Sequence, residues 1–173
     1  MAFLVRKIVI SRWPDGLNSF FTTKENLSAD SITKELNTSK NMLSWWRIEK
    51  IEKIIDIGLS FVSKLDLGQR DMRLLALPFE TIDAKFDLQN TPENGDTAIP
   101  SLKQYHYDIC NLTFGSLGDL ATLIAQETIK QDNGFIVKIK VKDAIESIKL
   151  LLEEGKADSD LLGEYIKKEL GIN

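Results

Sequence analysis

Phe135-Ile136-Val137-Lys138-Ile139-Lys140-Val141 is the best strand pattern in the sequence. In an extended chain Phe135, Val137, Ile139 and Val141 share one face, Lys138 and Lys140 take the other, and Lys142 continues the lysine row. A period of two from Val137 to Val141, within a run rich in β-branched residues, is the pattern of a strand, so the chain builds a sheet. One apolar face and one lysine face describe either a strand with a buried and a wet side or an edge strand whose lysines discourage stray pairing. The same row can be read as an anion-binding stripe. Without interleaved exposed aromatics, that reading gives little support to nucleic-acid binding.

On either side the period changes to that of helices. Upstream, Asp132-Asn133-Gly134 is turn chemistry, preceded by a helix that uses Leu117, Leu120, Ala121, Leu123 and Ile124. Downstream, two helices occupy about 142–170, split at Gly155-Lys156-Ala157-Asp158. The first buries Ala144, Ile145, Ile148, Leu151 and Leu152; the second Leu161, Leu162, Tyr165, Ile166 and Leu170. The second follows a glycine-containing hinge, and intrachain docking is the simpler expectation for it than a contact with a partner.

Further out, Phe3 to Ile10 reads as a first strand and Pro14-Asp15-Gly16 as the turn that ends it. Leu17 to Leu27 reads as loop, and Ser28-Ala29-Asp30 as the cap of a short helix bearing Ile32 and Leu36. Asn37 to Asn41 is polar and ends that helix. Met42 to Ile48 predicts a second strand, with Leu43 and Trp45 on one face and Trp46 and Ile48 on the other. Ile51, Ile54, Ile55, Leu59 and Val62 recur at helical steps, Met72 to Leu77 is a third strand stopped by Pro78, and Tyr105 to Leu112 is a fourth. Residues 80–104 carry no period and lean acidic, so they are expected to form a long loop. The expectation is therefore one domain over 1–173 of the α/β or α+β class. A central mixed β-sheet of about five strands would carry helices packed on it and end in a helical C-terminus.

Composition narrows the chemistry. The 173 residues include one histidine, His106, and one cysteine, Cys110, so a His/Cys metal cage or a disulfide within one chain has too few partners. Metal and cofactor are both expected to be none. The net charge of -4 gives no bulk attraction to a phosphate backbone, and nucleic acid is an unexpected partner. No run approaches the ~18 apolar residues of a membrane span. Arg6 and Lys7 interrupt the N-terminal apolar run, unlike a signal peptide. With the lone cysteine, these features point to the cytoplasm.

Candidate site residues fall in three groups. His106, Asp108 and Cys110 would share one face of a strand, which separates His106 from Cys110 by about 13 Å, so a nucleophile–base dyad requires a bend. Gly115-Ser116-Leu117-Gly118 stands between a strand and a helix, where Gly115 and Gly118 could open main-chain N–H groups to an anion. It matches neither the dinucleotide fingerprint nor the P-loop, and Asp119 would repel phosphate. The alternative function, a small nucleotide- or anion-binding α/β enzyme, would use this 105–119 segment with His106, Asp108 or Ser116 acting on the ligand. In the third group are Trp45, Trp46, Asp83, Asp87, Glu93 and Asp96. The Trp pair can both be buried only if both sheet faces are covered; otherwise one is an anchor at a partner surface. The carboxylates are a solvated acidic loop or a surface for a basic partner. The leading expectation is a non-enzymatic interaction factor, such as an accessory subunit or an immunity or antitoxin-like protein, that binds a protein partner through those residues. A homo-oligomer is also compatible with the sequence.

Overall fold

The computed structural model describes residues 1–8, 36–130 and 136–172. Trp13, the loop over 17–27, the helix cap at Ser28, the turn at 132–134 and Phe135 lie outside them. Six strands form one sheet: β1 (Phe3–Ile8), β2 (Leu43–Ile48), β3 (Asp71–Pro78), β4 (Asp87–Asn90), β5 (His106–Cys110) and β6 (Ile136–Lys140). Their order across the sheet is β4-β5-β2-β1-β3-β6, and every neighbouring pair is antiparallel. The class is α+β, with a wholly antiparallel sheet rather than a mixed one. The acidic segment 80–104 is not a structureless loop. It contains helix α2 (Phe79–Asp83), β4, and two 3-10 turns at Pro92–Asn94 and Pro100–Tyr105.

Helices cover both faces. On one face, α1 (Ile54–Ser63), α4 (Val141–Glu153) and α5 (Glu164–Leu170) pack over Phe3, Val5, Trp46, Ile48, Met72, Leu74, Ala76 and Ile139. On the other, α2 and α3 (Phe114–Lys130) pack over Leu4, Leu43, Trp45, Leu75, Leu77 and Ile109. Alternation along each strand divides the apolar residues between these two cores, each fully buried Leu or Ile contributing about 2 kcal/mol. Gly58 lets α1 approach the sheet, because a Cβ there would stand 3.1 Å from the Ile139 side chain. Helix α5 docks on its own chain. Leu162 and Ile166 are buried, and Gly163 N–H donates to Ser63 O at 2.8 Å.

Ser39 to Met42 forms a two-residue hairpin turn closed by reciprocal main-chain bonds of 3.1 and 2.9 Å. Lys40 and Asn41 sit at φ 52 and 60, the left-handed pair that such a turn requires. Among the described residues no helix is long and apolar enough to cross a membrane.

Candidate functional site

Strand β4 is one margin of the sheet, held by its ladder with β5, and a buried carboxylate on β5 fastens the segment that follows it. Asp108 is 1% exposed. Its Oδ1 accepts from Ser44 Oγ on β2 at 2.8 Å, and its Oδ2 accepts from Thr91 Oγ1 and from Asn94 Nδ2, both at 2.8 Å. Burial alone would raise the carboxyl's pKa. The donors Asn94, Ser44 and Thr91, with His106 beside them, outweigh it and hold Asp108 below the usual carboxylate range. The segment after β4 is thereby clamped across the face of the sheet. Gly95 lies so close that a Cβ would stand 3.2 Å from His106 Cβ and 3.4 Å from the Trp46 ring.

His106, 2% exposed, belongs to the same clamp. Its Nδ1 lies 2.9 Å from Thr91 O and 3.0 Å from Thr91 Oγ1. Since a carbonyl only accepts, Nδ1 carries the proton and donates to it. The ring meets Trp46 edge-on at 5.1 Å. Burial lowers the His106 pKa, and the charge of Asp108, the Thr91 carbonyl and Glu93 only partly offset that. A recess of about 260 Å³, lined in part by Arg6, Lys40, Ser44, Asn94 and Asp108, opens beside the clamp.

His106, Asp108 and Cys110 do share a face, but they do not make a nucleophilic centre. Strand β5 is paired with β2 from His106 to Ile109 and with β4 from Tyr107 to Cys110, so it stays extended and no bend brings the ring to the thiol. Burial, then the nearby Asp87 and Asp108 charges, push the Cys110 thiol up, the wrong direction for a thiolate. Ser116, Gly115 and Gly118 lie inside α3, not in a loop before it. Ser116 Oγ accepts from Thr113 N–H at 2.7 Å while Thr113 Oγ1 accepts from Ser116 N–H at 3.2 Å, a reciprocal cap on the helix start. Among the described residues no group of three or more His, Cys, Asp or Glu side chains could hold a metal ion.

Trp45 and Trp46 are 0% and 3% exposed, because helices cover both faces of the sheet. Neither indole is available as a surface anchor. Asp83, Asp87, Glu93 and Asp96 are exposed. Asp96 forms an ion pair of 2.9 Å with Lys64. Asp83 and Asp87 stand at the start of β4, and Glu93 just past its end. Asp87 is steadied by Asn111 Nδ2 at 2.6 Å and Gln89 Nε2 at 3.0 Å.

The direction of the main-chain groups of β4 follows from one bond. Thr91 N–H donates to His106 O at 3.0 Å in register with the β4–β5 ladder. In an antiparallel pair alternate residues face the neighbour, so Gln89 and Asp87 bond to β5 while Leu88 and Asn90 turn N–H and C=O outward. Among the described residues no strand pairs with that outer edge. Sequence reasoning missed Ser44, Thr91 and Asn94. The only signal was the turn chemistry of Asn90-Thr91-Pro92-Glu93-Asn94-Gly95-Asp96, which places polar side chains without saying what they meet.

No family model matches the chain, and no curated protein or solved structure matches it either.

Proposed function

We propose that this protein is an interaction factor that binds a basic, extended segment of a partner protein along the β4 margin. The observation that carries the reading is the coincidence of two features on one strand. Leu88 and Asn90 offer outward main-chain groups, and the exposed carboxylates Asp83, Asp87 and Glu93 flank them. Strand addition takes its affinity from main-chain bonds and its selectivity from side chains at alternate positions. Carboxylates at both ends of the edge would select lysine or arginine and speed the encounter. Clamping by Asp108 supports the reading, because an edge held rigid before binding costs less to order. Lys85 lies between Asp83 and Asp87 in sequence, and the margin stays net negative. An accessory or immunity-like role in a reducing compartment fits this reading and the single free thiol, Cys110.

The test is fluorescence anisotropy with an extended peptide of alternating lysine and β-branched residues, beside its glutamate counterpart. The lysine peptide should bind saturably and lose affinity with salt. The triple variant Asp83→Lys/Asp87→Lys/Glu93→Lys should weaken it by about tenfold or more. Hydrogen exchange should show the Leu88 and Asn90 amides becoming protected. Equal binding of both peptides, or indifference to the triple variant, would refute the reading.

A further inference from the structure

We infer that copies of this chain join edge to edge, the β4 margin of one lying along the β6 margin of the next. The inference rests on the reading that β4 accepts a basic strand and names a second copy as one source of it. Strand β6 is the opposite margin of the same sheet, and among the described residues nothing pairs with its outer side. Val141 N–H donates to Arg70 O at 3.1 Å in register with the β3–β6 ladder, so Ile139 and Val137 bond inward. Lys138 then turns both main-chain groups outward and Lys140 its N–H, while the Lys140 carbonyl belongs to the N-cap of α4.

The charges of the two margins are opposite. Lys140 and Lys142 are exposed, and Arg73 stands across from Lys138 in register. Lys138 itself is held by Asp71 at 2.9 Å, and Asp143 stands near Lys140, yet the margin remains net basic. Pairing β4 with β4 would set carboxylates against carboxylates, and pairing β6 with β6 would set lysines against lysines. Only the unlike pair matches. Lysines on an edge therefore guard against their own kind while leaving the acidic edge admissible. Such a contact is heterologous, so it builds a ring or an open row rather than a twofold dimer. With four residues on one edge and five on the other, the contact is weak and sensitive to salt. A basic segment from another protein would compete for β4 and break the row.

Sedimentation velocity over a concentration series tests this with three variants. Asp83→Lys/Asp87→Lys/Glu93→Lys makes both margins basic, and Lys140→Glu/Lys142→Glu makes the β6 margin acidic. Lys140→Pro removes an outward N–H at a residue whose φ is already -77. The wild type should grow in mass with concentration and shrink with salt. Each charge variant alone should stay monomeric, and an equimolar mixture of the two should associate again. Lys140→Pro should be monomeric with an unfolding midpoint like the wild type, which separates lost pairing from lost folding. A wild type that is monomeric throughout, or an association that survives reversal of either margin, would overturn the inference. If the monomer still binds the lysine peptide, the foreign-partner reading stands alone. If copies associate through these margins but no lysine peptide binds, that reading fails and this one stands.

Discussion

Thr91 Oγ1 donates to Asp108 Oδ2 across 2.8 Å, and through that bond the chain leaving β4 is fastened to the strand beside it. Asn94 and Ser44 bond the same carboxylate, so its removal strands three donors at once. Asp108→Ala should lower the unfolding free energy by about 3 kcal/mol, and Asp108→Asn by less, since it keeps one acceptor oxygen. Urea denaturation measures both. A loss below about 1 kcal/mol for the alanine variant would mean that solvent satisfies these donors.

The same cluster sets a pH response. His106 titrates lower in the folded state than its ordinary 6.5, and Asp108 lower than its ordinary 3.8. In both cases the unfolded chain takes up the proton first. The stability that these two groups contribute is therefore complete above about pH 6.5 and falls as acid is added, first through His106 and then, below about 3.8, through Asp108. His106→Asn, whose amide nitrogen can replace Nδ1 as donor to Thr91 O, should flatten the first arm of a stability–pH profile and leave the second. An unchanged first arm would assign it to another group.

Gly118 is exposed within α3, and a Cβ there would meet nothing within 4 Å. Gly118→Ala should raise stability by about 1 kcal/mol through helix propensity alone. Thermal unfolding would show this as a higher midpoint. A loss of stability would show that the position needs glycine for a reason its surroundings do not reveal.

Gly163 should behave in the opposite way. A Cβ there would collide with the main chain of Leu65, whose carbonyl already accepts from Tyr165 N–H at 3.1 Å. Neither side can yield without releasing α5. Gly163→Ala should cost about 2–3 kcal/mol, and Tyr165 should become more accessible to solvent quenchers. Similar midpoints for the variant and the wild type would show that α5 contributes little to the fold.

Five of the six strands were legible, some from alternation and others, such as Phe3–Ile8 and Asp71–Pro78, as short apolar runs ended by turn residues or proline. Strand β4 was not. Asp87-Leu88-Gln89-Asn90 holds a single apolar residue, and its pairing comes from β5 and the Asp108 clamp rather than from its own pattern. The burial of both indoles followed from a condition that the sequence could state but not settle, since whether helices cover both faces is a tertiary fact. Likewise, the shared face of His106, Asp108 and Cys110 was readable from their spacing. The donors that decide what Asp108 does come from 14, 17 and 64 residues away, beyond any local period. The glycines of α3 misled for a local reason: Thr113 caps a helix that starts at Phe114, so Gly115 to Gly118 lie within it rather than before it.

Among the described strands β1 comes first in chain order, and it lies inside the sheet, between β2 and β3. Ribosomal synthesis therefore delivers the middle of the sheet long before either flank exists: one side waits for Trp46 and Ile48, the other for residues 73–78. Until then the apolar strand must be kept from other chains, and closure over such sequence separations is slow. A nascent chain arrested before residue 71 would hold β1 with one side unpaired and exposed to proteolysis or chaperones. Removing β1 would cut the ladder into β4-β5-β2 and β3-β6, two fragments with no shared strand.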